Sequence, residues 1–226
     1  MTIGQTKGIT PDAIISAAVE LTRRKGLDDW TLRDLAGALG VYPAVIYHHV
    51  GNRDTVDHAV IDLIVAKYQL PEEGLPWQAW WRLFLTNLRA VFVHYPGVAR
   101  RIALIGPGAK TGSPTVDRAM RTLLRAGLEQ DEAAMVCRVL IIQACLFISL
   151  EDDRRKASAA KAQISDGWGS PPPDPNLAGL VTLHESVHER LHDPEKNRDY
   201  FGEMFEYAVD RMLDGVAMRL DEVTGH

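Results

Sequence analysis

Cysteine is nearly absent, with two residues, Cys137 and Cys145, in a chain of 226. They stand eight apart in one apparent helix, about 12 Å at a rise of 1.5 Å per residue, too far to bridge each other. That excludes a disulfide framework. Buried thiols in a reducing cytoplasm are the expected state, with a redox sensor as the alternative. No apolar run is read as approaching the roughly 18 residues of a bilayer span, and the N-terminus has no signal-peptide pattern, so no membrane is expected. Strand-type alternation is missing, as are internal repeats. An excess of positive charge is missing too: 25 Lys+Arg face 30 Asp+Glu, a formal net of −5. Residues 1–68 hold seven Lys+Arg against eight Asp+Glu, so no strongly basic nucleic-acid domain is present.

Helical punctuation is what the chain has instead. Thr10 caps and Pro11 starts a first helix to Lys25, with Ile14, Ala18 and Leu21 as its stripe. Gly26 ends it, and Leu27 and Trp30 pack back. Thr31 to Arg53, TLRDLAGALGVYPAVIYHHVGNR, carries the most information. Thr31 with Asp34 forms a capping-box pattern, and Leu32, Leu35, Ala36 and Leu39 recur at helical spacing. Gly40 suits a left-handed C-terminus, Val41 enters the core, and Pro43 suits the first turn of the next helix. Ala36 is small enough for a close crossing that Ile46 completes. The second helix, about Pro43 to Val50, has Val45, Ile46 and Val50 as core candidates and otherwise small, aromatic and imidazole side chains. Those suit a DNA groove; an ordinary helical hairpin is the alternative. Asn52 caps a fourth helix, Arg53 to Tyr68, lined by Val56, Val60, Leu63 and Ile64.

The stretch from Ile9 to about Lys67 resembles the N-terminal domain of the tetracycline-repressor (TetR) family of transcriptional regulators. The matching residues are AAVELTRRKGLDDWTLRDLAGALGV, then IYHHV, then Asn52–Arg53. The resemblance implies DNA-contacting roles. Thr31 and Arg33 match residues that hold phosphate or reach a base, and Tyr42, Pro43, Ala44 and Val45 match those facing base edges. Tyr47 and His48 match a phosphate-contacting aromatic pair, and Arg53 matches a phosphate-binding position that is usually Lys. The readout positions depart from the pattern by being mostly apolar. Few direct base hydrogen bonds are therefore expected, with more weight on thymine methyls, Arg33 and DNA shape.

PEEGLP at 71–76 marks the boundary between a DNA-binding domain, 1–68, and an effector-binding and dimerisation domain, 69–226. In the latter, helices are expected at Trp77–Tyr95, Gly97–Ile105, Ser113–Gly127, Glu132–Arg154 and from Asp193–Pro194 onward. Lys156 to Asn176 is expected to be a loop. The expected fold is all-α, a helix-turn-helix domain followed by a helical ligand-binding and dimerisation domain. The 132–154 helix is apolar almost all round and should be buried on nearly every side. It and the helix at 195–222 are expected to pair two copies as a homodimer, as the resemblance also implies.

Trp80, Trp81, Phe84, Leu88, Phe92, Met120, Leu124 and Phe147 are the candidate ligand-binding residues for a small, largely apolar effector; packed core is the alternative. The pocket as a whole is implied by the resemblance. Arg100, Arg101 and Ala103 stand where the tetracycline-binding branch would place a metal-ligating His, so no metal or cofactor is expected. One motif points elsewhere. His184–Glu185–Ser186–Val187–His188 is an HExxH pattern, with His192 a turn later. In zinc peptidases two such His bind the metal and the Glu activates water. No third ligand stands at a familiar spacing, so a helical zinc hydrolase remains the alternative, together with a metal held by His184 and His188 alone. The expected protein is not an enzyme but a cytoplasmic, ligand-responsive repressor binding a palindromic DNA operator. A ligand-binding protein without DNA binding is the further alternative.

Overall fold

The computed structural model describes residues 9–108, 112–159, 171, 174–192 and 199–224. Its helices are α1 (Pro11–Lys25), α2 (Leu32–Leu39), α3 (Pro43–Val50), α4 (Arg53–Val65), α5 (Trp77–Phe92), α6 (Val98–Ile105), α7 (Gly112–Ala126), α8 (Gln130–Ala159), α9 (Ala178–His192) and α10 (Tyr200–Thr224). No strand occurs among the described residues. The fold is all-α, an N-terminal helix–turn–helix domain followed by a helical C-terminal domain.

The first four helices form where capping chemistry starts them. Thr10 Oγ1 accepts from the Ala13 N–H at 3.2 Å. At α2 the box closes both ways: Asp34 N–H donates to Thr31 Oγ1 at 3.2 Å, and Thr31 N–H donates to the Asp34 carboxylate at 2.7 Å. The Thr31 hydroxyl, which also donates to the Asp34 carboxylate at 2.7 Å, and then the Thr31 N–H hold that carboxyl below its ordinary pKa. Gly40 ends α2 at φ 67°, left-handed backbone that disfavours a side chain. Asn52 Oδ1 accepts from Thr55 N–H at 3.0 Å to start α4. Ile14, Ala18, Leu35, Ala36, Ile46, Val56, Val60 and Ile64 form the fully buried centre of this head. Ala36 and Ile46 are both buried where α2 meets α3.

Several boundaries differ from expectation. Helix α4 stops at Val65, because the chain turns at Ala66 and Lys67 and Tyr68 leaves the axis to donate its hydroxyl to the Phe84 carbonyl at 3.0 Å. Leu63 faces solvent, and Ile61 takes the core position instead. Val41 and Val45 are half-buried rather than core. Helix α8 continues through Ala159, so the loop expected from Lys156 starts later; residues 160–170 and 172–173 of it lie outside the described residues. The start expected at Asp193–Pro194 also lies outside them, and α10 is described from Tyr200. Helix α9 carries the HExxH segment.

Helix α8 overturns two expectations. It is long and apolar enough to cross a bilayer by length and composition. Residues 133–150 hold a single charged residue, Arg138, so the chain does contain an apolar run of the length that sequence reading had missed. Nor is α8 buried all round within one protomer. Ala133, Cys137, Leu140, Ala144, Cys145 and Ile148 face the core, but Met135, Val139, Leu146 and Leu150 are exposed.

Head and body meet at a tight junction. Leu27 N–H, after α1, donates to the Pro96 carbonyl at 2.7 Å. Gly97, at φ 87°, comes so close that an added Cβ would lie 3.3 Å from Leu27 N. The Gly97 N–H donates to the Asp152 carboxylate at 3.1 Å, and Lys156 pairs with Asp29 at 2.5 Å. Burial pushes the Asp152 carboxyl above its ordinary pKa, while the Gly97 N–H and Arg155 oppose that shift.

Ile46→Ala should leave a void at the α2–α3 crossing and destabilise the head by about 2–5 kcal/mol, measured by urea unfolding. Tyr47→Ala, on the exposed side of the same helix, should change stability by less than about 0.5 kcal/mol.

Candidate DNA-binding face and ligand cavities

Helix α3 shows solvent an unusual face. Tyr42 is 83% exposed and Tyr47 55% exposed. Ala44, His48 and His49 are exposed as well, and Pro43 and Val45 half-buried. Only Ile46 of this helix is fully buried, so packing alone does not account for its aromatic and imidazole side chains. Thr31 and Arg33 are exposed at the start of α2. His49, which sequence reading left out, sets its ring edge-on to His48 with centroids 5.4 Å apart.

Arg53 is placed differently from its neighbours. Its Nε donates to Asp57 at 2.6 Å, and its terminal nitrogens donate to the Trp30 and Leu27 carbonyls. Its guanidinium also lies over the Trp30 ring at 3.7 Å. The side chain is half-buried and its donors are directed inward, where they hold the loop between α1 and α2 against α4. Burial raises the Asp57 carboxyl pKa, and Arg53 offsets part of that rise.

The body holds several cavities, and most of the expected ligand residues do not line the largest. Trp81 is wholly buried, and Trp80, Phe84, Leu88 and Phe92 are nearly so. Trp80 stacks on Phe84 at 5.1 Å, and Trp81 meets Phe84 edge-on at 5.3 Å. Phe84, Leu88 and Phe92 border only a void of about 30 Å³. Leu124 faces solvent, and Phe147 sits edge-on to Phe205 of α10 at 6.4 Å. Trp81, Phe84, Leu88, Phe92 and Phe147 are packing groups in the structure, because aromatic and aliphatic residues at helical spacing fill the interior they face, while Trp80 also borders a separate groove beside Trp77 and Arg125.

Met120 does line a cleft of about 500 Å³ between α6, α7 and α8, the largest of those walled by the described residues. Its other walls include Ile102, Leu104, Val116, Cys137 and Ile141, with Arg138 the only charged lining residue among the described residues. Ile102, Pro107, Val116 and Ile141 also border the smaller void beside Phe84. The spacing 134, 137, 138, 141 and 142 along α8 was the available signal for this wall; the aromatic content of α5 outweighed it. Helix α4 touches the cleft's surroundings at two places. Arg101 of α6 pairs with Asp54 at 3.5 Å, and Gly108, beyond α6, lies against the Asp62 carboxylate.

Both cysteines are free and buried; desolvation pushes Cys137 up to about 11 and Cys145 up to about 12. Thiols so protonated are poor redox sensors. In the HExxH segment the His184 and His188 rings are 5.0 Å apart. No group of three or more His, Cys, Asp or Glu side chains comes together as a metal site among the described residues.

An exposed recognition-type helix on a four-helix head, joined to an all-helical body, defines a helix–turn–helix DNA-binding protein. The profile of the bacterial regulatory proteins, tetR family, matches residues 14–59. That match makes the segment a tetR-family helix–turn–helix domain. It is 34% identical over 116 residues to an HTH-type transcriptional regulator of Saccharopolyspora erythraea, covering 50% of this chain and 49% of the relative. The chain thus spans about half the length of that relative. Its fold is similar to Streptomyces coelicolor ActR in complex with actinorhodin, with a TM-score of 0.74 at 24% identity over 94% of this chain and 98% of ActR. It is also similar to BioQ with its double-stranded DNA operator, with a TM-score of 0.59 at 20% identity over 77% of this chain and 99% of that one.

At pH 8 both thiols should react with Ellman's reagent at least about a hundred-fold more slowly than free cysteine, because so little thiolate is present. A molecule filling the cleft should slow Cys137 further and leave Cys145 unchanged. Fast labelling of the native protein would contradict this burial.

Proposed function

We propose that this protein is a cytoplasmic homodimeric repressor. It binds a palindromic DNA operator and is released by a small, largely apolar effector held between α6, α7 and α8. The observation that carries this reading is the position of the 500 Å³ cleft. Its α6 wall is tied to α4 through Arg101–Asp54, the turn beyond lies close to Asp62 of α4, and α4 follows directly on the recognition helix. An effector that moves α6 therefore moves α4 and changes the separation of two recognition helices, which must match half-sites about one helical turn apart. Occupancy of an operator without effector favours repression, since the bound dimer obstructs transcription.

Dimerisation is supported by the exposed apolar side chains of α8 and α10. Met135, Val139, Leu146 and Leu150 on α8, with Tyr207 and Met218 on α10, remain uncovered in one protomer. A second copy packed on these helices as a four-helix interface covers them. Residues 1–68 then act as the DNA head and 69–226 as the effector and dimer domain.

On the DNA, Thr31, Arg33, Tyr42, Pro43, Ala44, Val45, Tyr47 and His48 form the contact face. Apolar Ala44 and Val45 favour thymine methyls, and Tyr47 and His48 reach the backbone. Arg53 serves chiefly as a brace, because its donors are already engaged within the head. The HExxH segment is taken as a polar helix face and not as a hydrolytic centre.

Fluorescence anisotropy with DNA flanking the chain's own coding region tests this reading. Saturable nanomolar binding by a dimer is expected, with a shallow salt dependence. Arg33→Ala should weaken binding and reduce the slope of log K against log salt by about 1. Analytical ultracentrifugation showing only monomer at micromolar concentration would remove the dimer, and equal binding by Arg33→Ala would remove Arg33 from the interface.

A further inference from the structure

DNA binding makes no use of the HExxH segment of α9, yet its two imidazoles lie side by side. His184 and His188 stand at i and i+4, so their side chains rise from one face of the helix, one turn apart. Their ring centroids are 5.0 Å apart, with the planes tilted by 45°. An imidazole nitrogen binds a zinc ion at about 2 Å, which puts the centroids of two rings on one ion about 5 Å apart. The pair therefore already has the ring spacing of a chelate, with no change of backbone.

The two nitrogens of His184 differ. Nδ1 is enclosed, while the side chain as a whole is only half-buried. An ion cannot reach Nδ1, so Nε2 is the nitrogen left to hold one. His188 is exposed beside it. The helix itself is weakly held. Among the described side chains of α9 none is buried, and its printed tie to α10 is the ion pair Arg190–Glu203. A helix of 15 residues with so little burial is marginal by itself. One ion bonded to both imidazoles joins successive turns and opposes their unwinding. Imidazole favours zinc, nickel and copper over magnesium and calcium, which fixes the class of ion.

We propose that α9 binds one divalent late transition ion of the zinc class, chelated by Nε2 of His184 and a ring nitrogen of His188. No third His, Cys, Asp or Glu joins the pair among the described residues, so water fills the remaining positions and the ion exchanges with solvent. Its effect is to order α9, not to catalyse. The site is separate from the apolar cleft, none of whose lining residues lies on α9. The inference stands independently of whether the cleft takes an effector.

The test is calorimetric titration of the full chain, without an affinity tag, with zinc chloride. One ion per chain is expected, and no binding of magnesium at the same concentrations. His184→Asn and His188→Asn should each weaken zinc at least about tenfold. His192→Asn and His94→Asn should each leave its affinity within about twofold, because neither residue belongs to the pair. Zinc should slow amide hydrogen exchange in α9 at least about fivefold in the unaltered protein and not in His184→Asn. Nickel should broaden the imidazole resonances of His184 and His188 before those of any other histidine. Absence of zinc binding, binding that survives both substitutions, loss of binding in His192→Asn, or exchange in α9 that zinc leaves unchanged would each overturn the proposal. If a substituted chain proves misfolded by circular dichroism, the nickel broadening in the unaltered protein decides, and broadening that begins at other histidines overturns it.

Discussion

The guanidinium of Arg53 organises the head. Its one side chain stacks on Trp30, pairs with Asp57 and donates to the Trp30 and Leu27 carbonyls. It thereby joins the loop between α1 and α2 to the first turn of α4. The same loop donates from Leu27 N–H to the Pro96 carbonyl, and Gly97 next door donates to Asp152 of α8. From the first turn of α4 to the long α8, the chain is connected through a short series of hydrogen bonds, alongside one apolar cluster that runs through head and body. Partly buried charge-assisted bonds of this kind are directional, so they fix the angle at which head and body meet.

That constraint explains why so weakly charged a head can serve a DNA-facing role. The surface it presents is small and mostly uncharged, with tyrosine, alanine, valine and imidazole groups around Arg33. In the proposed dimer, with few phosphate contacts, placement of the two heads matters more than the strength of either, and specificity rests on a rigid junction and the second copy. The arginine that the family resemblance would assign to phosphate is directed inward here, toward that junction.

Much of the head was legible in the sequence because its signals are local. Thr10, Thr31 with Asp34, Gly40, Pro43 and Asn52 each act within four residues, and each ends or starts a helix where expected. Ala36 and Ile46 were legible as the crossing contact for the same reason. Apart from Met120, the walls of the 500 Å³ cleft were not. Trp81 and Phe84 carry the same periodicity whether they fill a core or line a pocket, and only the packing of α5 against its neighbours distinguishes the two. The walls of the actual cleft are aliphatic positions on α6, α7 and α8, whose convergence leaves no mark in any one segment.

The sequence by itself determined the helices of the head, the all-α class and the apolar character of α8, since capping and periodicity are properties of a few neighbouring residues. The tertiary structure alone decided that Arg53 turns inward, that the aromatic stripe of α5 is core, and that α8 keeps one apolar face uncovered. Each depends on which groups from distant parts of the chain arrive at the same place, and burial and hydrogen-bond satisfaction are settled only there.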